Sequence, residues 1–161
     1  MHSPIILGLC TANRCRSQMF EAILQHLAGD RFEVLSAGTK ATQVHPLSVK
    51  VLSERGINAQ GLFSKQIEKI DTQNDLLTLV GSNGNKKQVL LSSIIEVITL
   101  CGSAKESCPA FPVKVKTDHW PIDDPDQYKG SEAEILPHFR AARDDIWARC
   151  ENWLKLQSNQ K

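Results

Sequence analysis

Cys10-Thr11-Ala12-Asn13-Arg14-Cys15-Arg16-Ser17 is the stretch that decides how this chain folds. It follows Pro4-Ile5-Ile6-Leu7-Gly8-Leu9, a continuous apolar run of the kind found in a strand buried on both faces. It leads into Ser17 to Leu27, where Phe20, Ile23, Leu24 and Leu27 recur at helical spacing. Strand, loop and helix in that order gather the loop's backbone N–H groups and a helix N-terminus around one point. An oxyanion is held there by hydrogen bonds and by the helix dipole. Arg16 adds a planar fork of donors matched to a tetrahedral anion. Cys10 stands at the base of the cradle, where the same field stabilises a negatively charged sulfur. Residues 11 to 17 are thus expected to bind an oxyanion, with Cys10 beside it as a thiolate and Asn13 in the left-handed backbone geometry of a tight loop.

Outward from the loop, strands and helices alternate. Phe32 to Gly38 reads as a second strand ending at a glycine turn. Pro46 and Gly56 frame a helix carrying Leu47, Val51 and Leu52. Leu62 to Ile70 is expected to form a short helix, Ile94 to Leu100 a third strand and Val113 to Trp120 a weaker fourth. Beyond Pro137, the residues Phe139, Ala142, Ile146, Trp147, Cys150, Trp153 and Leu154 make one apolar helical stripe. The pattern predicts a single α/β domain over residues 1–161. Its core is a three-layer, four-stranded parallel sheet with helices on both faces and chemistry at the carboxyl ends of the strands. Apolar runs Leu76 to Val80 and Val89 to Leu91 flank Asn83-Gly84, predicting a β-hairpin near 76–91.

Nineteen basic and eighteen acidic side chains nearly cancel, which argues against nucleic acid or an anionic membrane as partner. No apolar stretch approaches a membrane span. Met1-His2-Ser3 runs straight into the first strand, so no signal peptide is expected and the protein is placed in the cytoplasm. Five cysteines without a secreted-domain spacing fit a reducing compartment, as reactive or buried thiols. No Cys/His spacing suggests a metal site, and no flavin or nicotinamide motif suggests a cofactor.

The loop resembles that of the low-molecular-weight protein tyrosine phosphatases and of the arsenate reductases built on the same fold. Two further places favour the reductases. Leu100-Cys101-Gly102-Ser103-Ala104-Lys105-Glu106-Ser107-Cys108-Pro109 sets two cysteines seven positions apart. His119-Trp120-Pro121-Ile122-Asp123-Asp124-Pro125 then supplies an acid before proline. In that order these features resemble a thioredoxin-coupled arsenate reductase, over residues 4 to about 155. Related chains are usually shorter around the expected hairpin, so the resemblance implies that a segment of about 72–92 is an insertion.

The resemblance implies that Cys10 attacks the central atom while Arg16 and the loop amides stabilise the developing charge. Ser17 would hold the thiolate, and Asp124 would act as general acid, with Asp123 as a nearby rival. Cys101 would attack the arseno-Cys10 adduct, Cys108 would then attack Cys101, and thioredoxin, in preference to glutaredoxin, would reduce the Cys101–Cys108 pair. A monomer is expected. Seven residues of helix rise about 10.5 Å, whereas bridged Cα atoms lie within about 7 Å, so a helical 101–108 segment must unwind to close that bond. Some relatives hold an alkali cation on side chains equivalent to Asn13, Glu21 and Ser36; here Phe63 and Lys65 stand at the remaining ligand positions, and the Lys65 ammonium is expected at the ion's place. Alternatives are a phosphatase of the same fold, disfavoured by Asp126 and Gln127 after the Asp-Pro pair, and a thiol protein sensing arsenic or redox state.

Overall fold

The computed structural model describes residues 3–102, 111 and 114–158. A parallel sheet is built from β1 (Ile5–Leu9), β2 (Glu33–Ala37), β6 (Ile94–Thr99) and β7 (Lys116–His119), in the order β2-β1-β6-β7. Strand β1 is central, and all five of its residues are buried. The register Leu9↔Ala37 and Leu9↔Thr99 brings three strand ends level at one edge. Chain connections leave β1 in opposite directions, so its carboxyl end is the point where a crevice opens in such sheets. Cys10 is the next residue.

Helices α1 (Arg16–Ala28), α2 (Pro46–Ser53) and α3 (Glu132–Ser158) pack on one face. Phe20, Ile23, Leu52, Phe139 and Ile146, all fully buried, join Ile6, Val34 and Ile98 of the sheet in one cluster. Phe20 and Trp120 meet edge to face at 5.5 Å, adding a specific aromatic contact to simple burial. The C-terminal stripe is core throughout, as its spacing predicts. Helix α3 starts earlier than the apolar pattern suggests, with Pro137 inside it. Its start is a capping box: the Glu134 N–H donates to Ser131 Oγ and the Ser131 N–H to Glu134 Oε1, each at 3.3 Å. Arg140 and Arg143 both bind Glu54, tying α3 to the end of α2. The Arg140 hydrogen bond holds the Glu54 carboxyl down at about 2.

The hairpin forms as expected from β4 (Leu76–Gly81) and β5 (Lys86–Leu90), with Gly84 at φ +85° in its turn. It is wider than the sequence suggests. The helix expected over Leu62 to Ile70 is replaced from residue 65 onward by β3 (Lys65–Asp71), which completes an antiparallel sheet in the order β3-β4-β5. The misreading has a physical cause. Ile67 and Ile70 sit three apart, a helical spacing, but the register shifts between Ile67 and Lys69. That irregularity places Ile67 opposite Leu79 and Ile70 opposite Leu77, so both reach the same face. Among the described residues, this sheet, not a helical layer, covers the second face, where Leu77 and Leu79 pack on Leu7, Leu9, Leu35 and Val97.

Candidate active site

Residues 10–15 leave β1 and enter α1 as a loop in which the carbonyls of Thr11, Ala12, Asn13 and Arg14 are engaged by groups outside the cradle. Thr11 O accepts from the N–H groups of Thr39 and Lys40, and Arg14 O from that of His45. Ala12 O accepts from Thr42 and Ser64 hydroxyls, and Asn13 O from the Gln18 amide. Because each peptide is planar, turning the carbonyls outward turns the intervening N–H groups inward. Helix α1 adds its own amides, since its N-cap residue Cys15 makes no side-chain cap hydrogen bond.

Asn13 organises this loop. Its φ is +48°, the left-handed value expected for it. Its buried amide donates to Ser17 Oγ (2.7 Å) and Ser36 Oγ (2.9 Å) and accepts from the Lys65 N–H and from Gln18 Nε2 (2.8 Å each). Both halves of the amide are thereby satisfied. Gly38 lies so close behind that a Cβ there would stand 2.4 Å from Thr11 O and 3.0 Å from Asn13 N.

Cys10 is 3 % exposed at the cleft floor, with its Sγ 2.7 Å from Ser17 Oγ. The cleft has a volume of ≈ 330 Å³ and is bounded by residues of the 10–16 loop and by Asp124 and Asp126. Arg16 is anchored by Nη1 donating to Leu100 O and Ile122 O at 3.1 Å, which aligns its guanidinium between the ends of two strands. Its Nη2 lies 3.6 Å from Asp124 Oδ2. Asp124 faces the cleft with one oxygen and accepts the Asp126 N–H with the other. Asp123 spends its oxygens elsewhere, on Gln127 Nε2 and on the Tyr128 hydroxyl. Of the two neighbouring acids, Asp124 and not Asp123 therefore faces the anion cradle.

Cys101 lies two residues past the end of β6, the strand beside β1, and the Leu100 N–H between them donates to Leu9 O at 2.9 Å. Neighbouring strands run about 4.8 Å apart. Cys101 is buried and disulfide-bonded, while Cys10, Cys15 and Cys150 are free thiols. Cys108, and with it the expected 101–108 helix, lies outside the described residues. Burial pushes the Cys15 and Cys150 thiols far up, which keeps both protonated and inert.

Behind the loop, the Lys65 ammonium lies 3.1 Å from Glu21 Oε1 and 3.1 Å from Phe63 O. Glu21 Oε1 also accepts from Ser36 Oγ at 2.8 Å. Lys65 thus supplies a positive charge among Glu21, Ser36 and Phe63, the place expected from sequence. Among the described residues no group of three or more His, Cys, Asp or Glu side chains could hold a metal ion. No described helix is long and apolar enough to cross a membrane.

Two loop contacts have no counterpart in the sequence reading. Arg14, expected among the anion-binding residues, borders the cleft and pairs its side chain with Asp126 at 2.9 Å, and Asp126 also faces His45. Opposite charges 112 positions apart give no local signal.

The model of the low molecular weight phosphotyrosine protein phosphatase family matches residues 5–161. An arsenate reductase of Shouchella clausii (strain KSM-K16) is 37% identical over 153 residues, which span 95% of this chain and 96% of that one. A solved structure of an arsenate reductase in the phosphate binding state aligns with a TM-score of 0.70 at 26% identity, over 94% of this chain and 97% of that one. A thioredoxin-dependent arsenate reductase of Corynebacterium glutamicum aligns at 0.54 and 26% identity, over 92% of this chain and 62% of the other. With an anion loop, a strand-end cysteine and a facing Asp-Pro acid in one cleft, the chain belongs to the low molecular weight phosphotyrosine protein phosphatase family.

Proposed function

We propose that this protein is an enzyme that reduces arsenate to arsenite. The carrying observation is that Cys10 borders the anion cradle at the end of β1, while Cys101 lies buried just past the end of the adjacent strand β6. A hydrolase needs the first of these thiols; a reductase needs both. The arsenate reductases to which the chain is similar support the same reading.

In this reading the amides of residues 11–17 and the Arg16 guanidinium hold arsenate, and the Cys10 thiolate attacks arsenic. Asp124 gives a proton to the departing hydroxide, which leaves as water. The Cys101 thiolate then attacks Cys10 Sγ. A sulfur–sulfur bond forms, the arsenic–sulfur bond breaks, and its electron pair stays on arsenic, which leaves as arsenite. Cys108 attacks Cys101 and releases Cys10 as thiolate. The remaining disulfide takes two electrons from a thioredoxin dithiol. We place the enzyme in the cytoplasm as a monomer, needing no bound cofactor.

An arsenate-dependent NADPH-oxidation assay tests this, with thioredoxin and its reductase compared against glutaredoxin and glutathione. Turnover is expected with thioredoxin. Cys10→Ser should abolish it together with any aryl phosphate hydrolysis. Cys101→Ser and Cys108→Ser should stop reductive turnover and leave residual hydrolysis intact. Sustained thioredoxin-driven turnover by Cys108→Ser would refute the three-thiol relay.

A further inference from the structure

The mouth of the cleft carries an ion pair that the chemistry above does not use. Arg14 belongs to the anion loop and Asp126 to the loop that bears the acid. Their side chains meet at 2.9 Å, Nε to Oδ2, and both border the cleft. The other Asp126 oxygen lies 3.5 Å from His45 Nε2. His45 is itself fixed: its Nδ1 accepts the Leu47 N–H as N-cap of α2, and its ring lies 4.6 Å from that of Phe139. Arg14 Nη1 also donates to Gln43 O at 3.2 Å. The backbone N–H of Asp126, finally, donates to Asp124 Oδ1 at 3.0 Å.

Resting on the reading of Cys10 as nucleophile and Asp124 as acid, we propose that Asp126, latched to Arg14 and braced by His45, is the positioning residue that aims Asp124 over the anion loop. The acid sits at the start of a single 3-10 turn, Pro125–Gln127, in which only Pro125 is buried. So short an element does not hold its own orientation. The contacts of Asp123 run to Gln127 and Tyr128, within the same loop, and Tyr128 stacks on His138 of α3. Those contacts fasten the loop to the helix layer; the Arg14 pair fastens it to the anion cradle. The side-chain carboxylate of Asp126 sets where the turn lies, and its N–H sets which way the Asp124 carboxyl faces. With Oδ1 held, Oδ2 is the oxygen presented toward Arg16 and the cleft.

A pair whose members are 31% and 38% exposed contributes little to fold stability. The aim of a proton donor, by contrast, is sensitive to displacements of an ångström. The latch should therefore affect rate and leave stability and anion affinity nearly untouched, which separates it from a structural brace and from a direct substrate contact.

The test uses the full-length, pre-reduced protein and single-turnover arsenite release at saturating arsenate, with inorganic phosphate as competing anion. Asp126→Asn, Arg14→Gln and their double variant should each slow release about tenfold, part of the 10²–10⁴ that a general acid contributes. The double should be no slower than either single. The phosphate inhibition constant should stay within about twofold, and the melting temperature should stay within about 2 °C. In an Asp124→Asn background, adding Asp126→Asn should change nothing further, because Asp126 acts through Asp124. The charge-exchanged variant Arg14→Asp/Asp126→Arg should regain rate relative to the singles.

Weaker phosphate binding in Arg14→Gln together with tighter binding in Asp126→Asn would mean that Arg14 contacts the anion, and would overturn the proposal. So would wild-type release rates in the singles while Asp124→Asn is impaired, and so would additivity with Asp124→Asn. An unimpaired Asp124→Asn, or activity in Cys10→Ser, would instead overturn the functional reading on which the latch rests.

Discussion

Lys65→Met keeps an apolar stem of similar length and deletes one buried charge, so it isolates what the ammonium contributes behind the anion loop. Lys65 is 2% exposed, and its Nζ stands 3.1 Å from Glu21 Oε1. It also lies 4.6 Å from the centroid of the Phe63 ring. Removing it leaves the Glu21 carboxylate with the Ser36 hydroxyl and whatever water can reach it. Breaking a fully buried pair costs about 3–5 kcal/mol. The Glu21 side chain is 16% exposed and borders a cleft of ≈ 420 Å³, so water partly rehydrates it and the lower end applies, about 3 kcal/mol. For a chain of this length that lowers the melting temperature by about 6–12 °C. Urea unfolding of Lys65→Met, Glu21→Gln and the double variant measures it. The double should recover at least half the loss, because neither charge is then left alone. Potassium chloride and choline chloride at equal ionic strength should stabilise the unmodified protein equally. A Lys65→Met variant within about 1 kcal/mol of wild type, a double equal to the sum of its singles, or a specific potassium effect would each refute the reasoning.

Gly38→Ala should cost about 1–3 kcal/mol and lower activity as well, since the added Cβ drives into Thr11 O and the back of the anion loop; unchanged phosphate affinity in calorimetric titration would contradict this. His45 offers a pH test. Burial and the Arg14 guanidinium hold it below its ordinary 6.5. The unfolded chain then binds a proton that the folded one refuses, so stability is lost as pH falls below 6.5 toward the folded value. His45→Asn keeps an N-cap acceptor and removes the titration, so its melting temperature should decline less between about pH 7 and about pH 5. An equally steep decline would remove His45 from the account.

The anion cradle was legible because its chemistry is local: eight consecutive residues between a strand and a helix determine where Cys10, Arg16 and the loop amides go. Asp124 was legible through its proline, and the left-handed Asn13 through the tightness of the loop. The helix expected over 62–70 shows the limit. A register irregularity between Ile67 and Lys69 gives a strand an apolar spacing of three, and periodicity alone cannot distinguish that from a helix turn. The capping box at Ser131 and Glu134 was available in the sequence, yet the apolar stripe drew the boundary to Pro137 instead. The Arg14–Asp126 pair was not available at all, because a single sequence does not say which distant charges meet.

The antiparallel sheet on the second face has a kinetic consequence. The chain leaves β2 at Ala37 and must return to β1's other side at Ile94. Closing so long an excursion is slow in folding, yet each doubling of a flexible loop adds only about 0.6 kcal/mol. Strands β3, β4 and β5 pair with their sequence neighbours and close by short turns, events on the microsecond scale. Once formed they take up nearly half of that excursion as one patch, already carrying Leu77 and Leu79 for the face that β1 and β6 must complete. The late, long-range step then joins two preformed surfaces and requires no search by a free chain. Mutations at the β3–β4 seam should therefore show up in the folding rate, while mutations at the β6–β7 edge should act mainly on unfolding.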